Sequence, residues 1–294
     1  MAFEVPVDGD GRALGVRYYR DDTDGVFHEE FQPARMVIVA GYAIETPRLL
    51  LNSKSSRFPQ GLANSSGLVG KFLMTQGADI TMGRYEEMIR QYKGPPAQVE
   101  TEDFYETDPS RGFARGFTIQ SINPPPIAFA KMLSESKGLF GWELREAMQD
   151  YNHYAGWGLL CEFLPDERNY VGLAAEKDRY GLPVAYVHYN IFDNDKKMLE
   201  YAVGKSLEIH EAAGAVETFR ARDSAHVIGT CRMGFTPQDS VVDRWCRSWD
   251  VPNLFIPDGS CLPTQGAANP ALTISAIAAR TADHIREAAS RGEL

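Results

Sequence analysis

Three short stretches hold residue types that could do chemistry. The first is His226 to Gly234 (HVIGTCRMG), where small and hydroxylated residues closely follow a histidine. An imidazole changes charge near neutral pH, with an ordinary pKa of about 6.5. The glycines behind it let the backbone come close to a ligand. The second is Val251 to Ser260 (VPNLFIPDGS), a short apolar strand running into Asp258-Gly259-Ser260. A carboxylate and backbone N–H groups at a strand end suit hydrogen bonding to a polyhydroxyl chain or a pyrophosphate. The third is Ala267 to Thr273 (AANPALT). Pro270 near a helix start leaves Asn269 close to the N-cap, with helix N–H groups exposed beside it. Each stretch also has a plain reading: a packing histidine, an Asp-Gly turn, a helix cap.

The elements that must position these groups follow from patterning. Ala13–Tyr19 and Gly25–Phe31 read as strands flanking the polar turn Arg20–Asp24. Arg35–Ala40 (RMVIVA) is an apolar, β-branched run that predicts a buried central strand ended by Gly41. Glu45–Ser53 predicts a helix with Thr46 as its cap and Pro47 in the first turn. Gly61–Gly70 is a loop, and Ile119–Ile127 is punctuated by prolines. Tyr154–Phe163, Asn169–Leu173 and Pro183–Tyr189 predict strands. Asn194–Ala215 predicts one long amphipathic helix, and Thr273–Ile285 a helix rich in small residues.

Several function classes are disfavoured. The 294 residues carry a net charge of −10 and no basic cluster, a poor match to nucleic acid or to anionic membranes. No apolar run reaches the roughly 18 residues needed to span a bilayer. The opening MAFEVPVDGDG lacks the basic and apolar regions of a signal peptide. Cys161, Cys231, Cys246 and Cys261 include no C-x-x-C pair, so no metal site is expected. Gly9, Gly11 and Gly15 mimic a dinucleotide fingerprint, but the third glycine comes one residue late and a strand follows it, not a helix. Asp8–Gly11 is better read as a hairpin turn. Neither a phosphate loop nor a G-x-S-x-G elbow occurs. His28, His188, His210 and His284 sit in apparent strands and helices, where surface or packing roles are the default.

In combination the stretches say more. His226–Gly234, Ser240–Asp243, Val251–Ser260, Pro263-Thr264, Asn269-Pro270 and Thr273-Ile274 closely resemble, in order and spacing, the C-terminal signature of the glucose–methanol–choline (GMC) oxidoreductases. Gly41–Ser53 and Gly61–Met74 resemble that family's central signature. Asn169–Leu173 with Asp178–Pro183 resembles its sugar- and polyol-dehydrogenase-like members. The resemblance is weakest between about 84 and 150.

The resemblance implies an α+β fold, with part of an FAD-binding α/β domain (1–75 and 221–294) and a substrate domain on an antiparallel sheet (76–220). It implies FAD-dependent oxidation of a CH–OH group of an alcohol, sugar or polyol, with hydride passing to flavin. His226 matches the family's catalytic histidine, and Asn269 its second active-site position. Asp258 and Gly259 match residues along the flavin's pyrophosphate and ribityl chain. Gly41 and Ala43 match a backbone turn near the nucleotide, and Asn269 and Pro270 also lie at the flavin. A neutral imidazole at His226 would accept the hydroxyl proton, and the Asn269 amide would orient the substrate oxygen.

The chain also departs from the family pattern. Tyr42 stands where the family has a small residue, and Gln76 where many members have histidine. The strand–GxGxxG–helix unit for the ADP half of FAD is expected upstream of Met1, so an N-terminal flavin-domain chain or an electron-acceptor subunit is an expected partner. The alternative is a truncated, non-catalytic remnant that binds no FAD alone. Such a remnant would be poorly stable, with an unpaired sheet edge.

Overall fold

A computed structural model describes residues 1–95 and 97–293. It is a mixed α+β fold with mostly antiparallel sheets. Strands β1 (Ala2–Glu4), β2 (Gly15–Asp21) and β3 (Phe27–Pro33) form a three-stranded antiparallel sheet. Asp8–Gly11 makes the expected tight turn. Asp8 Oδ1 accepts from the N–H groups of Asp10 and Arg12, and Gly11 takes φ +84°.

Strand β4 (Val37–Ile38) leads through Gly41 into helix α1 (Tyr42–Asn52). The predicted six-residue central strand is only these two residues, and Ile38 is 52% exposed. β4 pairs, in parallel, with β14 (Leu254–Phe255). Its apolar run instead lines a groove of about 400 Å³ with Phe3, Val16 and Leu49. The helix starts three residues earlier than predicted, and Gly41, not Thr46, is its N-cap residue. Thr46 lies one turn in, where its hydroxyl accepts from Gly41 N–H.

Pro47 inside α1 removes the N–H that would serve the carbonyl of Ala43. The Thr230 hydroxyl donates to that carbonyl instead, at 3.0 Å. This bond joins α1 to the segment after His226. Around it Val39, Leu50, Leu62, Val242, Leu254 and Ile256 form one core. Each such side chain contributes about 1.5–3 kcal/mol by burial.

A second core region is built on a seven-stranded antiparallel sheet. Its strands are β5 (Met74–Gly77), β6 (Ile80–Arg84), β7 (Glu100–Thr101), β8 (Phe117–Ile122), β9 (Tyr154–Cys161), β12 (Glu217–Ala221) and β13 (Ser224–Ile228). The spatial order is β12-β6-β9-β5-β13, with β8 also on β9 and β7 on β8. Strands β10 (Tyr170–Lys177) and β11 (Pro183–His188) form a separate hairpin.

Helices cover both faces of the large sheet. Ile80, Met82 and Tyr154 pack with Phe129 and Leu133 of α2 (Pro126–Lys137). Leu159 and Cys161 pack with Met198 and Ala202 of α4 (Asp193–Ala212). Between Ile80 and Met82, Thr81 bonds Ser206 of α4, as the two-residue period of a strand requires. Gly83 is required here, since a Cβ would lie 2.4 Å from the His210 ring. A short helix α3 (Gly141–Ala147) follows α2. The sequence pattern predicts no helix between Pro126 and Ala147. Helix α5 (Ala271–Ser290) closes the described chain, and Thr281 and Ala288 are its only fully buried residues.

Candidate functional site

His226 lies in β13, which pairs antiparallel with β5. Ala225 sits opposite Gln76, and the register then shifts before Ile228. His226 has φ +57°, a left-handed conformation unusual for a residue with a side chain. The irregularity re-aims the ring, as bulges beside functional sites do. His226 Nδ1 comes within 2.5 Å of Gln76 Oε1. Burial pushes the imidazole pKa below its usual value, so the ring is neutral at pH 7.

The other side of the ring faces Asn269. Its Nδ2 lies 3.3 Å from His226 Nε2, across 43 residues of sequence. Pro270 is the N-cap residue of α5, and no side chain caps that helix. Asn269 is therefore not a helix cap. Its amide is turned to the histidine, and the first N–H groups of α5 lie beside the pair.

The loop between β14 and α5 is tied down by buried groups. Gln76 Nε2 donates to Gly266 O and Ala268 O, and Thr118 Oγ1 donates to Ala267 O. Gln265 Nε2 donates to His226 O. Gln76 and Thr118 come from strands 190 and 149 residues away from the carbonyls they hold. In the sequence Gln76 stands out only as a departure from histidine, and Thr118 and Gln265 carry no predicted role. Separations so large leave no local spacing that could have marked them.

The remaining predicted residues gather at the start of α1. Asp258 Oδ2 accepts from Tyr42 N–H at 2.8 Å and from the Thr46 hydroxyl at 2.6 Å. Its Oδ1 accepts from Ser260 N–H at 2.8 Å and from the Ser260 hydroxyl. The carboxylate is thus taken up in joining α1 to the strand end. Gly41 and Ala43 flank Tyr42, which has φ +54° and is half exposed. Gly229 N–H donates to Gly259 O at 3.1 Å and connects this cluster to the His226 segment. The predicted residues therefore fall into two linked groups: Gly41, Ala43, Asp258 and Gly259 at α1, and His226, Asn269 and Pro270 at α5.

Comparisons with known proteins identify similar chains. A profile of the GMC oxidoreductases matches residues 165–278, the segment holding His226 and Asn269. A 2-methyl-1,2-propanediol dehydrogenase of Mycolicibacterium austroafricanum is 39% identical over 94% of this chain and 51% of its own length. The fructose dehydrogenase large subunit of Gluconobacter japonicus is 30% identical over 97% of this chain and 52% of its own. The fold resembles that of a formate oxidase from Aspergillus oryzae RIB40, studied for modification of its FAD. The TM-score is 0.70 at 15% identity, over 97% of this chain and 59% of that one. The chain spans about half the length of the curated relatives it matches. By the matched profile and these relatives, the chain belongs to the GMC oxidoreductase family.

Proposed function

We propose that this chain is the catalytic half of an FAD-dependent oxidoreductase that oxidises a CH–OH group of a small alcohol, sugar or polyol. The observation that carries this reading is the 3.3 Å pairing of His226 Nε2 with Asn269 Nδ2 at the uncapped start of α5. The relatives named for a diol and for fructose favour a polyhydroxyl substrate.

In this reading the substrate hydroxyl displaces the Asn269 amide from His226 Nε2. The hydroxyl proton moves to Nε2 as the carbon–oxygen bond becomes a carbonyl, and Asn269 holds the oxygen in place. General-base help of this kind is worth about 10²–10⁴-fold. When bound, FAD supplies the two-electron acceptor for the hydride that leaves carbon. The residues fit the ring end of that cofactor, because α5 offers free N–H groups beside His226 and Asn269. Gly41, Ala43, Gly259 and Pro270 would line it through their backbones. The ADP end has no strand–GxGxxG–helix here, so a partner chain or segment would complete it. Residues 1–75 and 221–294 would form the flavin side, and 76–220 the substrate side.

The test is to produce the chain with a nucleotide-binding GMC segment and measure bound flavin and alcohol-dependent dye reduction. His226→Ala should lose at least about 10²-fold in kcat/KM. Full activity in that variant would refute the assignment.

A second reading, a remnant that binds no FAD, is favoured by Tyr42 projecting at the start of α1. Tight FAD binding in the reconstituted protein would dispose of it.

A further inference from the structure

We propose that Gln76 fixes the tautomer of His226, so that the neutral ring carries its proton on Nδ1 and presents a lone pair at Nε2. The inference rests on the reading of His226 as the base and names the residue that makes Nε2 the basic atom.

Gln76 is completely buried on β5. Its amide nitrogen donates to two backbone carbonyls, Gly266 O at 2.8 Å and Ala268 O at 2.9 Å. Carbonyl oxygens cannot donate, so the amide nitrogen must face them and the amide oxygen must face His226. The reversed amide would set its oxygen against both carbonyls and leave three acceptors without donors. An amide oxygen only accepts. The His226 Nδ1 that contacts it at 2.5 Å therefore carries the hydrogen. A neutral imidazole has one N–H, so Nε2 is the lone-pair nitrogen. Asn269 Nδ2 at 3.3 Å is a donor suited to that lone pair.

The same two bonds hold Gly266 and Ala268, the residues leading directly to Asn269. One buried amide thus orients the ring on one side and anchors the loop that carries its partner on the other. Gln76 is a positioning residue, since the atom it touches is not the reacting one.

Histidine-labelled ¹⁵N NMR of the whole chain tests this, with His226→Gln used to assign the ring. At about pH 7.5, well above the ordinary histidine pKa, wild type should show one protonated nitrogen at Nδ1 and a lone-pair nitrogen at Nε2. Gln76→Leu should bring in the Nε2–H form. Gln76→Glu should keep the proton on Nδ1 and move the ring's titration to higher pH, because a carboxylate stabilises the imidazolium. Asn269→Ala should leave the tautomer unchanged. An Nε2–H ring in wild type overturns the proposal, as does an unchanged tautomer in Gln76→Leu. If Gln76→Leu does not fold, the wild-type spectrum and Gln76→Glu decide. The readout does not depend on turnover. A correct tautomer in a protein that oxidises no alcohol would sink the proposed function alone.

Discussion

Thr230 donates its hydroxyl to the carbonyl of Ala43, the carbonyl that Pro47 cannot serve. Both residues are fully buried. Thr230→Val keeps the shape and leaves that carbonyl unsatisfied, which should cost about 1–3 kcal/mol. In a Pro47→Ala background, where the helix N–H is restored, the cost should shrink. Urea unfolding of the four proteins of this cycle measures the coupling. Equal losses in both backgrounds would show that the two groups do not share the carbonyl.

Arg48 ties α1 to the β10–β11 hairpin. Its guanidinium contacts Asp178 Oδ2 at 2.5 Å and donates to Pro183 O at 2.9 Å. Burial works to raise the Asp178 pKa, but the Arg48 hydrogen bond and the N–H groups of Leu182 and Tyr180 outweigh it and hold the carboxyl below its usual value. A depressed carboxylate stabilises the fold fully above its unfolded pKa, about 3.9. That contribution is lost as pH falls through the lower folded value. Urea midpoints between about pH 5 and pH 2 should therefore fall less steeply in Arg48→Met than in wild type.

His210 of α4 is buried against the large sheet. Its Nε2 donates to Thr81 O at 3.2 Å, and its Nδ1 accepts from the Tyr85 hydroxyl at 2.8 Å. Burial lowers its pKa, so the folded state favours the neutral ring. The unfolded state gains its proton first as pH falls. Stability from this residue is complete above about pH 6.5 and declines from there toward the folded pKa. His210→Gln should be less stable at pH 7.5 yet show a flatter decline toward pH 5 in calorimetry. An unchanged slope would place the titration elsewhere.

Ile38 stands on β4 above the apolar groove. Ile38→Lys should change the stability of the isolated chain by less than about 0.5 kcal/mol, as exposed substitutions do. It should weaken assembly with a nucleotide-binding segment and reduce flavin incorporation. Wild-type flavin content in the reconstituted variant would show that the partner does not cover this edge.

Local motifs mark the candidate residues, and patterning predicts most of the elements that hold them. His226, Asp258 and Asn269 stand in short local motifs, and ordered spacing is a property of the chain alone. The hairpin at Asp8–Gly11, the long helix ending at Ala212 and the strands near 154–188 follow from periodicity and turn chemistry. What those residues do to one another depends on contacts that the fold creates. Asp258 is consumed by Thr46 and Tyr42, more than 200 residues away. Asn269 turns to His226 rather than capping α5. β4 is short, with Val37 buried and Ile38 exposed, because strand length depends on the neighbours a strand finds. α2 is only weakly amphipathic and takes its stability from the sheet it packs on, while the short α3 packs beside α2, so neither leaves a strong local pattern. Gln76 entered the site through contacts spanning 150 and more residues. A hydrogen bond requires about 3 Å of spatial separation and is indifferent to separation along the chain. Pairings of this kind become visible only once the fold has brought their partners together.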